Sequence, residues 1–336
     1  MSLNEIRGRL ALITGASGGI GAACAHQLAS HGVHLALTYA TNSNAVNQLV
    51  AELISQYDEN NLRITTHQVD VGSPDQIETM FQQIDKQHGR RPDILISNAG
   101  YGKRIPNIWD IGLEEFDYML NVNLRASFVL VKGVVGHMKS QRWGRIIFMS
   151  SIAASGGGIN GCHYAASKGG LTGMMKNLST RLAEYNISVN DVAPAMIGDT
   201  GMVPSATAIP GIASNIPLGR LGTPEETASV VTIVQNAGKR VPALHAQLID
   251  ETETEKQVFR NKPMLGSYCE KTNKLNLDAA ETRCTSLLSL LRHLNPDVDI
   301  ENALQTIAPE TEYQASSKPL EPKLDSESPG SAHEFE

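Results

Sequence analysis

Along the first two-thirds of the chain, short apolar runs alternate with longer stretches of helical spacing. "RLALITG" at Arg9–Gly15 is a continuous apolar run, the pattern of a strand buried on both faces. Gly18 to His31 then reads as a helix. "VHLALTYA" predicts a second strand, and Asn44 to Tyr57 a second helix. "LRITTHQVDV" predicts a third strand. Ser73 before Pro74 is an N-cap followed by proline at the first helical position, so a helix runs from there towards Gln87. "DILISNAG", Leu113 to Ser140, "GRIIFMSS", Gly161 to Tyr185 and "ISVNDVAP" continue as strand, helix, strand, helix, strand. Thr223-Pro224-Glu225-Glu226 opens one more helix, to about Asn236. Strands that alternate with helices predict an α/β fold, a doubly wound parallel sheet with helices on both faces.

The pattern breaks after Gly238. "KRVPALHAQLIDETETEKQ" is polar and irregular. Asp278 to Leu294 has the leucine spacing of an amphipathic helix, with Leu287, Leu288, Leu290, Leu291 and Leu294, and Asp299 to Ile307 is a second short helical pattern. From Pro309 the chain is rich in Pro, Ser and Glu, a composition that predicts disorder. Three segments are therefore expected: residues 1–237 as the folded α/β domain, 238–308 as an extension with one or two short helices, and 309–336 as a disordered acidic tail.

Composition narrows the function. Of 336 residues, 41% are hydrophobic, enough for a substantial core. No apolar run has the uninterrupted length of a membrane span, and the N-terminus lacks the order of a signal peptide, so a cytoplasmic protein is expected. Cys24, Cys162, Cys269 and Cys284 are scattered without metal-ligand or disulfide spacing, and no metal is expected. The net charge of -7 argues against nucleic acid as a partner. The segment 309–336 holds seven acidic and two basic residues, so it carries -5 and leaves only -2 for the rest.

The first strand ends in "TGASGGIG", Thr14 to Gly21. Gly15, Gly19 and Gly21 let the backbone turn sharply and come close to a ligand. The helix behind them offers free N–H groups and a positive dipole end to a pyrophosphate. The same glycines would also serve a tight strand-to-helix turn with no ligand. Their place after the first strand of an alternating pattern favours a dinucleotide and a Rossmann-type sheet.

"GCHYAASK" places Tyr164 and Lys168 four residues apart on one helix. Such pairs also arise as plain surface contacts. Chemically, an ammonium near a phenol lowers a pKa that is otherwise about 10, and a tuned phenol can pass a proton to a substrate oxygen. "VDV" at Val69–Val71, "NAG" at Asn98–Gly100, "NVNL" at Asn121–Leu124 and "MSS" ending at Ser151 follow in order, each but the third at a strand end.

Taken together, these motifs over about Arg9 to Asn236 resemble the short-chain dehydrogenase/reductase family. "NAGYGKRIP", the "GCHYAASKGG" helix and "IPLGRLGTPEETA" are most like its 3-oxoacyl-[acyl-carrier-protein] reductase group. The resemblance implies Tyr164 as the acid/base at the substrate carbonyl, and Lys168 as the residue that lowers its pKa and holds the nicotinamide ribose. It implies Ser151 as a hydrogen-bond partner of the substrate oxygen, and Asn123 as the holder of a water linked to Lys168. For the cofactor it implies Gly15, Ser17, Gly19, Ile20 and Gly21 at the pyrophosphate, and Asp70 and Val71 at the adenine. Asn98, Ala99 and Gly100 would lie along the adenosine ribose, and Pro194, Ile197 and Thr200 at the carboxamide, beside Tyr164 and Lys168.

Strand two ends in "LTYATNSN" without the acidic residue that binds a ribose 2′-hydroxyl, while Tyr39, Thr41, Asn42 and Ser43 could receive a 2′-phosphate. NADP(H) is therefore the expected cofactor. The expected reaction is NADPH-dependent reduction of a carbonyl, a 3-oxoacyl thioester in first place, with acyl carrier protein as the partner this implies. Another ketone or a polyhydroxy-aromatic substrate is the alternative, because Met202 to Pro217 shapes the pocket. The family is usually homo-oligomeric and has a seventh strand with a Gly-x-x-x-Gly turn. Here the match stops near Gln235, so the sheet is expected to lack that strand, with "ALHAQLI" (Ala243 to Ile249) as an imperfect substitute. A non-catalytic dinucleotide-binding remnant is the reading that this loss would favour.

Overall fold

The computed structural model describes residues 6–57, 61–203, 216, 219–236 and 245–247. The extension and tail apart from 245–247, the helical patterns at Asp278–Leu294 and Asp299–Ile307, and most of the Met202–Pro217 loop lie outside the described residues. The described residues fall within one compact unit, Met1–Asn261.

The chain alternates as its pattern predicts. β1 (Leu10–Ile13), β2 (His34–Tyr39), β3 (Ile64–Gln68), β4 (Ile94–Ser97), β5 (Gly144–Met149) and β6 (Ile187–Ala193) are separated by helices. These are α1 (Gly19–Ser30), α2 (Ser43–Tyr57), α3 (Pro74–His88), α4 (Leu113–Leu120) with α5 (Ala126–Gln141), the short α6 (Ala153–Gly156), and α7 (Cys162–Leu182). α8 (Pro224–Asn236) and β7 (His245–Gln247) follow. All strands pair in parallel, in the order β3-β2-β1-β4-β5-β6-β7. β1 and β5 are buried at every position, as central parallel strands must be when helices cover both faces.

Side chains alternate across the sheet and build two cores. Ala11 and Ile13 of β1 join Leu28, Leu35, Leu53, Ile94, Ile147 and Val231 under α1, α2 and α8. Leu10 and Leu12 join Phe81, Leu95, Leu130, Val134, Phe148 and Met175 under α3, α5 and α7. Helix starts carry their expected caps. Ser73 Oγ accepts from Gln76 N–H at 3.4 Å, with Pro74 in the first turn. At α8, Thr223 Oγ1 accepts from Glu226 N–H at 3.2 Å, while Glu226 Oε2 accepts from Thr223 N–H at 2.8 Å, a reciprocal capping box.

The structure departs from the sequence reading in two places. Leu113 to Ser140 is not one α-helix: a π-helical segment, Asn121–Arg125, separates α4 from α5. The whole rod, Leu113–Gln141, is long and apolar enough to cross a membrane, with a mean hydropathy of 1.2. Its apolar face instead packs inward through Leu130, Val131, Val134 and Met138.

The second departure is a correction. The edge beside β6 was expected to lack a strand. His245–Gln247, inside the Ala243–Ile249 segment, pairs in parallel with Asp191–Ala193, so the sheet has seven strands among the described residues. Ladder bonds join backbone to backbone, so a segment without the family's glycine turn can still satisfy an edge. The sheet order reverses between β1 and β4, which opens a crevice at the carboxyl ends of those strands.

Candidate active site

The turn after β1 is tied from two sides. Thr38 Oγ1 accepts from Gly15 N–H at 3.2 Å, and Thr38 O from Ala16 N–H at 2.8 Å. Asn98 Nδ2 donates to Thr14 O at 2.9 Å and Gly15 O at 3.2 Å, while Thr14 Oγ1 accepts from the N–H groups of both Asn98 and Ala99 at 3.0 Å. Gly15 sits at φ 68°, a left-handed conformation suited to glycine. A Cβ on Gly21 would collide with Gly15 O, and one on Gly19 would lie 2.5 Å from Asp199 O. Gly19, Gly21 and the Ile197–Thr200 segment are thus brought together at the start of α1. That helix has no side-chain cap on Gly18 and no acid in its first turn. Its leading N–H groups, including those of Gly19 and Ile20, have no hydrogen-bond partner among the described residues and suit an anion. Ser17 lies in the same turn. This cradle fits the pyrophosphate of a dinucleotide.

The remaining cofactor candidates follow the crevice. Tyr39 ends β2, and Asn42 Oδ1 accepts from Ala45 N–H at 3.0 Å as the cap of α2, which Ser43 begins. Asp70 is exposed, and its Oδ1 accepts from Gly72 N–H at 2.8 Å; Val71 beside it is buried. Pro194 O accepts from Ile152 N–H at 3.2 Å, and Ile197 bridges to Gly222. Thr200 Oγ1 donates to Ile197 O at 3.2 Å and accepts from Val203 N–H at 3.0 Å.

Tyr164 and Lys168 lie on α7, both buried. Lys168 Nζ donates to Met149 O at 2.8 Å, at the end of β5. Asn123, in the π-helical segment, clamps the loop after β4: its Oδ1 accepts from Tyr101 N–H at 2.7 Å, and its Nδ2 donates to Tyr101 O at 2.9 Å and Ser167 Oγ at 3.0 Å. A Cβ placed on Gly100 would be 3.3 Å from Asn123 Oδ1 and 3.4 Å from Lys168 Nζ. Asn123 and Lys168 therefore converge on Gly100, where an added Cβ would be tight against Asn123 Oδ1. Ser151 Oγ accepts from Ala153 N–H at 3.2 Å at the other side of Tyr164.

Burial raises the Tyr164 phenol above its ordinary value, and a hydrogen bond with Ser151 counters that rise. The sequence expectation is that Lys168 lowers it; the position of the ammonium bears on that role. The ammonium turns to Met149 O and lies 5.8 Å from the phenol ring centroid. Burial drives Lys168 itself down to about 8.

The sequence did not single out Thr14, Tyr101, Ser167 or the Met149 carbonyl. Thr14 carried a signal, a hydroxyl between a strand end and the first glycine. Tyr101 packs against Met119, Ala153 and Tyr164, and stands edge-on to Tyr118 at 4.9 Å. His163, next to Tyr164, is fully buried, and neither ring nitrogen has a hydrogen-bond partner among the described residues.

Comparison with known proteins agrees with this geometry. The family model described as "short chain dehydrogenase" matches residues 9–209. The 3-oxoacyl-[acyl-carrier-protein] reductase of Synechocystis is 34% identical over 230 residues, which is 68% of this chain and 90% of that protein. Its counterpart in Escherichia coli is 36% identical over 231 residues, again 68% of this chain and 91% of the relative. Among solved structures, a 3-oxoacyl-[acyl-carrier protein] reductase from Brucella melitensis with bound NAD superposes with a TM-score of 0.63 at 27% identity, covering 73% of this chain and 91% of that one. A short-chain dehydrogenase from Burkholderia cenocepacia in complex with NADP gives 0.64 at 29% identity, over 72% and 97% of the two chains. By its sequence, its sheet order and the convergence of Asn123, Tyr164 and Lys168, this chain belongs to the short-chain dehydrogenase/reductase family of oxidoreductases, most like the 3-oxoacyl-[acyl-carrier-protein] reductases.

Proposed function

We propose that this protein reduces a 3-oxoacyl thioester to the 3-hydroxyacyl thioester with NADPH. The observation that carries the reading is the buried Tyr164 with Ser151 as its hydrogen-bond partner, one helical turn from a buried Lys168. The glycine turn after β1 and Lys168 would hold a nicotinamide dinucleotide, which would supply a hydride to the carbonyl carbon. Ser151 and Tyr164 both hydrogen-bond the carbonyl oxygen, and Tyr164 gives it the phenolic proton as the hydride arrives. The product is an alcohol, and the phenolate is reprotonated from solvent. Lys168 and Asn123, converging at Gly100, hold the ribose side of the site and link the phenol to that proton supply. The site's polar groups fix the reaction and leave the substrate to the loop after Thr200.

NADPH is favoured over NADH because β2 ends without a carboxylate, and Thr41, Asn42 and Ser43 offer hydrogen-bonding groups there. The pairing of β7 along β6 supports the catalytic reading over a non-catalytic remnant. A cytoplasmic place and acyl carrier protein as substrate carrier accompany this reading, as does the family's homo-oligomeric habit. The test is NADPH oxidation with acetoacetyl thioesters against a panel of ketones. Tyr164→Phe should abolish turnover, a loss of at least about a hundredfold, while NADPH binding followed by cofactor fluorescence stays nearly unchanged. Turnover by that variant at the wild-type rate would remove Tyr164 as the acid.

A further inference from the structure

At the amino ends of β2 and β3, opposite the crevice, lies an open cavity of about 420 Å³ lined by His34, Asn61, Leu62, Arg63, His88 and Arg90. Four of these six carry or can carry positive charge, and none is acidic. We propose that this cavity binds a small tetrahedral oxyanion, the phosphate group of a metabolite, through Arg63, Arg90, His34 and His88.

Part of this charge has structural work. Arg63 Nη1 donates to Gln87 O at 3.2 Å, in the last turn of α3, and Arg90 Nη2 donates to Gly8 O at 2.6 Å. Arg90 also lies 3.5 Å from Asp93 Oδ2. Asp93 itself is occupied, accepting from Leu10 N–H, Gln141 Nε2 and His137 Nε2. A guanidinium carries five N–H donors, so both arginines have donors left for a ligand. The negative end of α3 attracts cations, which accounts for Lys86 and His88 in its last turn. It does not explain why His88 is held neutral there. Burial and the fields of Arg63, His34, His67 and Arg90 push its pKa down to about 4. The same arginines, after burial, lower His34.

The hydrogen bonds assign the tautomers. Gln83 Oε1 accepts from His67 Nδ1–H at 3.0 Å, so His67 Nε2 accepts from Thr65 Oγ1–H at 2.9 Å. The Thr65 oxygen then accepts from His88 Nε2–H at 2.9 Å, which leaves His88 Nδ1 as the nitrogen that gains a proton. His34 Nδ1 accepts from Arg63 N–H at 3.1 Å, which leaves its Nε2–H as a donor. An oxyanion in the cavity supplies the missing counter-charge and draws a proton onto His88. Anion affinity should therefore rise as pH falls towards about 4, by up to tenfold per unit, and level off below it.

Sulfate tests this on the full-length protein, because sulfate does not titrate in that range. Proton NMR of the histidine rings should show sulfate raising the His88 midpoint by at least about one unit, with much smaller shifts at exposed His31 and at His26. Arg63→Gln, which keeps a donor for Gln87 O, should weaken sulfate binding at least about tenfold, and His88→Asn should remove the part of its pH dependence that falls near about 4, leaving only what His34 contributes. Inorganic phosphate and glycerol phosphate, compared at one pH, distinguish the free ion from a phosphate ester. An equal shift of all histidines would mean salt screening alone and would overturn the proposal. So would unchanged sulfate affinity in both variants, or no saturable effect on His88.

Discussion

Lys168 is a costly residue at its position. Burial lowers it to about 8 from an ordinary 10.5, so the folded protein gives up that proton before the unfolded chain does. Between those values the unfolded chain holds more protons, and stability rises with pH across the window. Below about 8 the full cost of a buried ammonium is present. Lys168→Met removes it, so the variant should melt above the wild type at neutral pH. The gap should close as pH approaches about 10, apart from a constant loss for the unpaired Met149 carbonyl. A melting difference that stays flat or widens with pH would contradict this account. Asn42 is a simpler case. Its side chain caps α2, and Asp is an equally good cap, so Asn42→Asp should leave the melting temperature nearly unchanged. If this loop selects the cofactor, the new carboxylate should shift preference towards NADH, read as the ratio of kcat/KM for the two cofactors. Tyr164 and Lys168 were legible in the sequence because helical spacing puts them on one face. The Met149 carbonyl that Lys168 meets and the Tyr101 backbone that Asn123 meets were not, since those contacts join a helix to a strand end or to the loop after one.

Helix starts tell a similar story one level up. The Thr223-Pro224-Glu225-Glu226 signal predicted the start of α8, and the capping box appears there with both bonds made. Two hydrogen bonds from Arg220 and the Thr223 N–H pull Glu226 down to about 2. Its folded value is below its ordinary 4.5, so its contribution is present above that value and is lost as pH falls from about 4.5 to 2. Thr223→Ala should cost about 0.5–2 kcal/mol in denaturant unfolding. Glu226→Gln should show a weaker loss that disappears in acid. The π-helical segment was not legible, because apolar spacing over Leu113 to Ser140 continues through it and one extra residue barely disturbs a periodic pattern.

For the whole molecule, the order of strands and the crevice at β1 and β4 follow from the alternation of apolar runs and helical stretches. The seventh strand was legible only as the imperfect substitute within Ala243 to Ile249, since its three residues carry no motif of the family and their pairing with β6 is a backbone ladder. It sets a test of where the domain ends. A chain stopped after Asn236 should melt below one stopped after Asn261, because Asp191–Ala193 then lose their ladder. Equal melting of the two truncations would show that β7 adds nothing to the fold.

The π-helical segment between α4 and α5 has a consequence for how these two helices are aimed. A regular helix turns about 100° per residue, so one added residue offsets everything beyond it by roughly that angle. α4 turns Met119 towards Tyr164, while α5 turns Leu130, Val134 and Met138 onto the sheet. The rod is thus two helices spliced out of phase, and Asn123 stands at the splice. Each half is free to answer to a different neighbour, one to the crevice and the other to the core. An uninterrupted helix would have to choose between them.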